Sequence, residues 1–207
     1  MKIDFAITPS KIVCVGRNYS EHAKELGNEV PTSPLLFLKA PSAIIKSGDA
    51  IVIPSQSKQV EHEGELAVVI GSDCKNLRND EDMSKYVLGY TCLNDVTARD
   101  IQRADVQFTR GKSFDTFCPI GPHIETDLDV RDIRVTTSVN GVLKQDGRTS
   151  QMVFPVDFLI RYISRQMTLK AGDIIATGTP SGVSKLNAGD TCEVTIEGIG
   201  TLTNSVV

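Results

Sequence analysis

The sequence predicts a β-rich α+β fold. Short apolar, β-branched runs outnumber the amphipathic helical stretches. The two kinds of segment do not alternate regularly, which argues against a doubly wound parallel sheet. Three Gly-Asp pairs, Gly48-Asp49, Gly172-Asp173 and Gly189-Asp190, each stand just before an apolar run. Their spacing is irregular, so they read as turns and not as a repeat. At 207 residues, 40% hydrophobic and 23% charged, the chain can fill one core. No Ser/Gly/Pro-rich linker divides it, so residues 1–207 read as a single domain.

The elements follow in order. Lys11 to Val15 is a short apolar strand. Asn18 to Leu26 reads as a helix, with Asn18 or Ser20 as N-cap and Gly27 as its stop. Asn28 to Pro34 is polar and holds two prolines, so it is a loop; a short helix followed by such a loop suits a lid, here residues 16–34. Strands are predicted at Leu35–Leu38, Ile51–Ile53, Val60–Ile70, Tyr86–Leu93 and Ile174–Ala176, and a helix at Thr97–Ala104. Ile133–Val139 and Val142–Gln145 flank Asn140-Gly141, the signature of a hairpin with a type I′ turn. Pro155–Arg165 is the strongest helix, with Pro155 suited to its first position.

Composition excludes several classes of partner. The net charge is −4 and the Lys and Arg residues form no basic block, so no nucleic-acid or anionic-membrane partner is expected. No run approaches about 20 apolar residues, the length of a membrane span. The start, Met1-Lys2-Ile3-Asp4, lacks the apolar run of a signal peptide. The five cysteines are widely spaced and mostly lie in strand-like stretches, which reads as buried free thiols in a reducing cytoplasm. Cys118, before Pro119, admits a reactive thiol.

Three acidic residues carry the chemistry. In a strand, residues two apart share a face, so Glu63 and Glu65 point the same way where the chain turns apolar. Two like charges so placed are costly, and a divalent cation would relieve them. Asp95, at the end of the next apolar strand, is the natural third ligand. An all-carboxylate set suits Mg²⁺, Mn²⁺ or Ca²⁺; with three histidines and no Cys-x-x-Cys pair, zinc is not expected. Taken alone, Glu-x-Glu reads more readily as a solvated strand face.

Other groups are individually ambiguous. His22 and Glu25, three apart, share a helical face and could activate a water, or could be ordinary surface patterning. Arg99 and Gln102 share a face just after Asp95 and could hold an anionic substrate; Arg99 could equally be a surface residue. Lys112, between a glycine and Ser113-Phe114, could bind a carboxylate or oxyanion, or simply be solvated. Thr177-Gly178-Thr179-Pro180 could bind a carboxylate or be a plain turn, and it is not a Walker loop.

Together these blocks form a pattern. Gly16-Arg17-Asn18-Tyr19, His22-x-x-Glu25, Glu63-x-Glu65-Leu66-Ala67, Asp95-x-Thr97-Ala98-Arg99-Asp100, Gly111-Lys112-Ser113-Phe114 and Thr177-Gly178-Thr179-Pro180 occur in an order that resembles the fumarylacetoacetate hydrolase family. The resemblance is strongest to its small acylpyruvase and oxaloacetate decarboxylase members and runs from about Lys11 to Val206. It implies a mixed β-sandwich roll with flanking short helices, a cytoplasmic homodimer, and Mg²⁺ or Mn²⁺ held by Glu63, Glu65 and Asp95. His22 and Glu25 would be the water-activating pair on the lid, Lys112 the active-site lysine, and Arg99, Gln102 and Thr179 substrate contacts. The larger hydrolases supply a further metal-binding aspartate upstream of the histidine, where this chain has Val13-Cys14-Val15-Gly16.

The implied substrate is a small 2-oxo acid. The leading expectation is hydrolysis of acylpyruvates to pyruvate and a carboxylic acid. Oxaloacetate decarboxylation or tautomerisation, and an isomerase/decarboxylase step of aromatic catabolism on 2-hydroxyhepta-2,4-diene-1,7-dioate, are the enzymatic alternatives. A binding protein stabilised by Ca²⁺ is the alternative from another class.

Overall fold

The computed structural model describes residues 1–4 and 7–207. It is strand-rich with few, short helices, as predicted. The chain runs through β1 (Lys2–Asp4), β2 (Ile12–Gly16), α1 (Ser20–Glu25), β3 (Leu35–Lys39), β4 (Ile44–Lys46), β5 (Ala50–Ile51), β6 (Val60–Glu61), β7 (Gly64–Ile70), β8 (Val87–Asn94) and β9 (Thr97–Ala98). Two short helices follow, α2 (Arg99–Ala104) and α3 (Thr109–Lys112). Then come β10 (Cys118–Glu125), β11 (Arg134–Val139), β12 (Val142–Arg148), α4 (Val156–Gln166), β13 (Ile174–Ala176), β14 (Thr191–Ile196) and β15 (Gly200–Val206).

An eight-stranded mixed sheet has the order β1-β10-β8-β7-β13-β2-β3, with β4 also pairing β10. A five-stranded sheet has the order β12-β11-β14-β15-β5, and β6 and β9 form a two-stranded sheet. Strand β7 explains the packing. All seven of its residues are buried. Leu66, Val68 and Ile70 join a core with Val135 and Val194 of the five-stranded sheet and with Leu159 and Ile163 of α4. Ala67 and Val69 face the other way, into a second core with Ile12, Leu93, Ile120 and Ile174. These second-core strand residues all come from the eight-stranded sheet itself, so that sheet curls around its own side chains.

Local sequence accounts for most elements. Asn140 and Gly141 have φ of 52° and 74°, the left-handed pair that a type I′ turn requires, and join β11 to β12. Helix α4 buries Val156, Leu159, Ile160 and Ile163, a stripe at helical spacing. Pro155 is its N-cap, one position earlier than expected. All five cysteines are buried and free, and burial pushes the Cys118 thiol up to about 12, which removes the reactive-thiol reading.

Three expectations need correction. The predicted strand Val60–Ile70 breaks at His62 and Glu63, because these two residues leave the ladder for other partners: His62 N–H donates to Ser184 O and Glu63 N–H to Asn94 Oδ1. The predicted helix Thr97–Ala104 starts only at Arg99, since Thr97 and Ala98 pair with β6. The strand expected at Ile51–Ile53 covers Ala50–Ile51, and the Val52 N–H turns to Thr116 Oγ1.

The two sheets approach closely at Gly64. A Cβ there would lie 2.1 Å from Thr137 Oγ1 and 3.2 Å from a Val194 methyl. Thr137 is fully buried and β-branched, so it has little room to yield. Gly64→Ala is therefore expected to destabilise the protein by ~1–3 kcal/mol through overpacking. Thr137→Ala in the same chain should recover part of that loss. Thermal melts of the two single variants and the double variant check this; strict additivity would contradict the contact.

Candidate active site

The site sits where the chain changes sheets. Between Glu61 and Gly64 the backbone passes from the two-stranded sheet into β7, and between Asn94 and Thr97 its neighbour passes from β8 into β9. The two crossings are tied together: Asp95 N–H donates to Glu63 O at 2.8 Å, and Glu63 N–H to Asn94 Oδ1 at 2.9 Å. Glu63 and Asp95 lie in the two gaps and Glu65 is the second residue of β7. The crossing brings one carboxylate oxygen of each within 4.8 Å of the others, and all three residues are buried. The expected ligand set therefore converges, although on a strand break and not on one continuous strand.

Three buried cations face these carboxylates. Lys112 Nζ donates to Glu63 Oε2 at 2.7 Å and to Asp95 Oδ2 at 2.6 Å, and lies 5.1 Å from the centre of the Phe37 ring. Arg99 bonds Glu61 Oε2 at 2.8 Å, Glu63 Oε1 at 2.5 Å and Gln102 Oε1 at 2.6 Å. Lys39, at the end of β3 and fully buried, donates to Asp95 Oδ1 at 2.6 Å and to Val96 O at 3.1 Å. The surface readings of Lys112 and Arg99 are thus excluded, and Lys39 joins the site without having been singled out in the sequence.

The electrostatics separate the three acids. Burial alone would raise the Glu63 pKa, but the charges of Lys112 and Arg99 hold it well below the usual carboxylate range. Glu65 goes the other way. Burial, then the neighbouring charges of Asp95 and Glu63, raise it well above that range, and its partner is a backbone group: Gly178 N–H donates to Oε2 at 2.7 Å. Burial disfavours the charged Lys112 ammonium, but Asp95 and Glu63 more than compensate, so it stays charged.

Carboxylate oxygens each retain a lone pair beyond these bonds, and a hard divalent ion accepts an all-oxygen set. When ionised, Glu65 has a backbone N–H and no cation as its partner, and such an ion would offset that charge. The residues fit a hard divalent ion.

Helix α1 brings His22 to the same cavity. The helix ends in a Schellman motif, with Gly27 N–H bonding Lys24 O and Asn28 N–H bonding Ala23 O, so Gly27 is the stop the sequence predicts. Its start differs: Tyr19 is the N-cap and no side chain caps it. Asn18 instead bridges distant segments, donating to Thr177 O and Phe154 O and accepting from Phe154 N–H. Buried His22 holds exposed Glu25 through Nδ1 and Oε2 at 3.2 Å. Glu25 also accepts from Gly182 N–H at 3.0 Å, linking α1 to the loop after β13.

That loop is fastened to the acidic segment by Gln145. Its Oε1 accepts from Gly64 N–H at 2.9 Å and lies 3.1 Å from His62 Nδ1; its Nε2 donates to Thr179 Oγ1 and Pro180 O, both at 2.7 Å. Thr179 donates its one hydroxyl proton to Gly64 O at 2.8 Å, so toward a substrate that hydroxyl can only accept. Gly178 has φ +98° and a Cβ there would lie 2.7 Å from Asn18 Cβ; only glycine lets its N–H reach Glu65.

A cavity of about 220 Å³ opens onto His22, Glu63, Glu65, Asp95, Arg99 and Lys112. Gln102 and Thr179 also line it, so of the residues predicted for the site only Glu25 lies outside the lining, reaching it through His22. Arg17 and Arg103, not singled out as site residues, line it too.

Comparison with known proteins agrees with this architecture. The family described as Fumarylacetoacetate (FAA) hydrolase C-terminal matches residues 11–207. A Bacillus subtilis protein named oxaloacetate tautomerase YisK is 45% identical over 212 residues, covering 96% of this chain and 70% of that protein. A Dictyostelium discoideum protein named mitochondrial oxaloacetate decarboxylase is 45% identical over 201 residues, covering 94% of this chain and 92% of that protein. The structure of a Mycobacterium smegmatis protein described as 5-carboxymethyl-2-hydroxymuconate delta-isomerase superposes with a TM-score of 0.91 at 49% identity, over 97% of this chain and 80% of that one. With the match spanning nearly the whole chain, the rolled sheet in common and an acidic cluster at its crossover, this chain belongs to the fumarylacetoacetate hydrolase family.

Proposed function

We propose that the chain is a Mg²⁺- or Mn²⁺-dependent enzyme of small 2-oxo acids, with oxaloacetate tautomerisation or decarboxylation first and acylpyruvate hydrolysis second. The observation that carries the reading is the convergence of Glu63, Glu65 and Asp95 on one cavity that also holds His22 and Lys112. The order differs from the sequence expectation because relatives at 45% identity bear oxaloacetate names. Hydrolysis keeps support of its own in the His22–Glu25 pair, since decarboxylation needs no attacking water. A purely structural Ca²⁺ site would need neither His22 nor Lys112.

Glu63, Glu65 and Asp95 would hold the ion, which would supply Lewis acidity toward the 2-oxo acid. The protein groups do the rest. Lys112 has one N–H left after Glu63 and Asp95, available to a developing oxyanion. The Gln102 amide nitrogen, its carbonyl being held by Arg99, can donate to the substrate carboxylate. His22, oriented by Glu25, can take a proton from water for hydrolysis or from C3 for tautomerisation. Residues 16–34 are read as the lid, pinned here through Glu25 to Gly182.

Two outcomes test this. Because burial and the charges of Asp95 and Glu63 raise the Glu65 pKa in the metal-free protein, Mg²⁺ binding at its carboxylate competes with a proton. Affinity should therefore rise with pH and fall as pH drops. Calorimetry in buffers of different ionisation enthalpy should detect proton release, and Glu65→Gln should abolish it together with turnover. Metal binding with no proton release would contradict the proposed state of Glu65, and full activity in chelator would remove the metal.

Second, His22→Ala should lower acylpyruvate hydrolysis by ~10²–10⁴-fold while retaining much more of any oxaloacetate decarboxylation. Glu25→Gln should act in the same direction without adding to it. The measurement is kcat/KM on both substrates at saturating Mg²⁺. Equal losses on both would make His22 a substrate- or lid-holding residue.

A further inference from the structure

We infer that Arg17 and Arg103 form a second anion-binding pole of the cavity, and that the preferred substrates are 2-oxo dicarboxylates whose distal carboxylate docks there. The inference rests on the proposed placement of the 2-oxo acid head group at the carboxylate cluster.

Most arginines of the described residues are already engaged. Arg78, Arg110, Arg131, Arg134 and Arg148 each hold a carboxylate. Arg99 holds two, while Arg161 and Arg165 bond backbone and amide oxygens. Arg17 and Arg103 are the least engaged: among the described residues the Arg17 side chain has no hydrogen-bond partner, and Arg103 makes only a long 3.4 Å contact to Gln59 Oε1. These two line the same cavity. Unpaired guanidinium groups suit bidentate capture of a carboxylate.

Their placement fits a distal group. Arg99, Gln102 and Arg103 share one face of α2. Along it exposure rises from buried Arg99 through half-buried Gln102 to exposed Arg103. Four residues of helix advance about 6 Å, close to the separation of the carboxyl groups in a short diacid. Arg17 approaches from the start of the α1 segment. Its φ of 59° is unusual for a non-glycine residue, and such backbone is retained where a side chain must be aimed. Charge agrees. Four cationic side chains, Arg17, Arg99, Arg103 and Lys112, line the cavity against three carboxylates. A divalent ion widens that excess, which a dianion offsets better than a monoanion.

The test is calorimetric binding at saturating Mg²⁺ of 2-oxopentanedioate against 2-oxopentanoate, which carries a methyl in place of the distal carboxylate. The wild type should bind the diacid about tenfold more tightly, the scale of one charge-assisted contact. Arg103→Met should bring the two affinities within about twofold of each other, Arg103→Lys should keep part of the preference, and added salt should weaken it. Arg17→Met should act in the same direction; if its unusual backbone costs the fold, the exposed Arg103 variant decides. Equal wild-type affinities, or equal losses for both acids in Arg103→Met, overturn the inference while Mg²⁺-dependent binding leaves the proposed function standing. A diacid preference that persists in chelator upholds the arginine pole and counts against the metal reading. Failure of both acids to bind overturns both.

Discussion

The structure is organised around three carboxylates of like charge, buried within 4.8 Å of one another. Such a cluster is unfavourable unless compensated, because each charge loses its hydration and repels the others. Compensation comes from three separate elements. Lys39 ends β3, Arg99 opens α2 and Lys112 ends α3, and each points its charge at Glu63, Asp95 or both. Buried ion pairs of this kind seldom add net stability, while removing one partner typically costs about 3–5 kcal/mol. The network is therefore better explained by what it holds ready than by what it contributes to folding.

The backbone meets a related constraint. Both chain segments that carry the acids change sheets at the site, and a crossover leaves backbone groups without ladder partners. Each is satisfied specifically: Glu63 by Asn94 and Asp95, Gly64 by Gln145 and Thr179. Gln145 thereby couples the acidic segment to the loop that also receives Glu25, so dyad and acids share one scaffold. The close contact of Gly64 with Thr137 fixes how deep that scaffold sits between the sheets.

Much of this was legible in the sequence, for physical reasons that are local. The Asn140-Gly141 hairpin, the α4 stripe and the Gly27 stop follow from turn geometry and helical period. Glu63, Glu65 and Asp95 stand out because charge at the mouth of an apolar run has few harmless explanations. What was hidden is nonlocal. Asn18 looks like an N-cap, yet its amide serves residues 136 and 159 positions away. Lys39 looks like a charge that ends an apolar strand, and only its approach to Asp95, 56 positions on, reveals its burial. Gln145 occupies an ordinary hairpin strand, and Arg17 and Arg103 are conspicuous only once every other arginine has a partner.

The three acids are not equivalent, and that asymmetry bears on the order of events. Glu63 and Asp95 each hold buried cations, whereas Glu65 has a backbone N–H in that place. Counting Glu61, four buried carboxyl groups face Lys39, Lys112 and Arg99, so the innermost shell is one positive charge short whenever Glu65 is ionised. An anionic substrate entering that shell would meet net repulsion. A divalent ion reverses the sign, because it overcompensates the deficit by one. On the proposed function, affinity for a 2-oxo acid at this place would depend on the ion twice, through direct ligation and through the field it leaves behind. A lysine in place of the ion would cancel the deficit without reversing it, which is why three buried cations do not make a fourth sufficient.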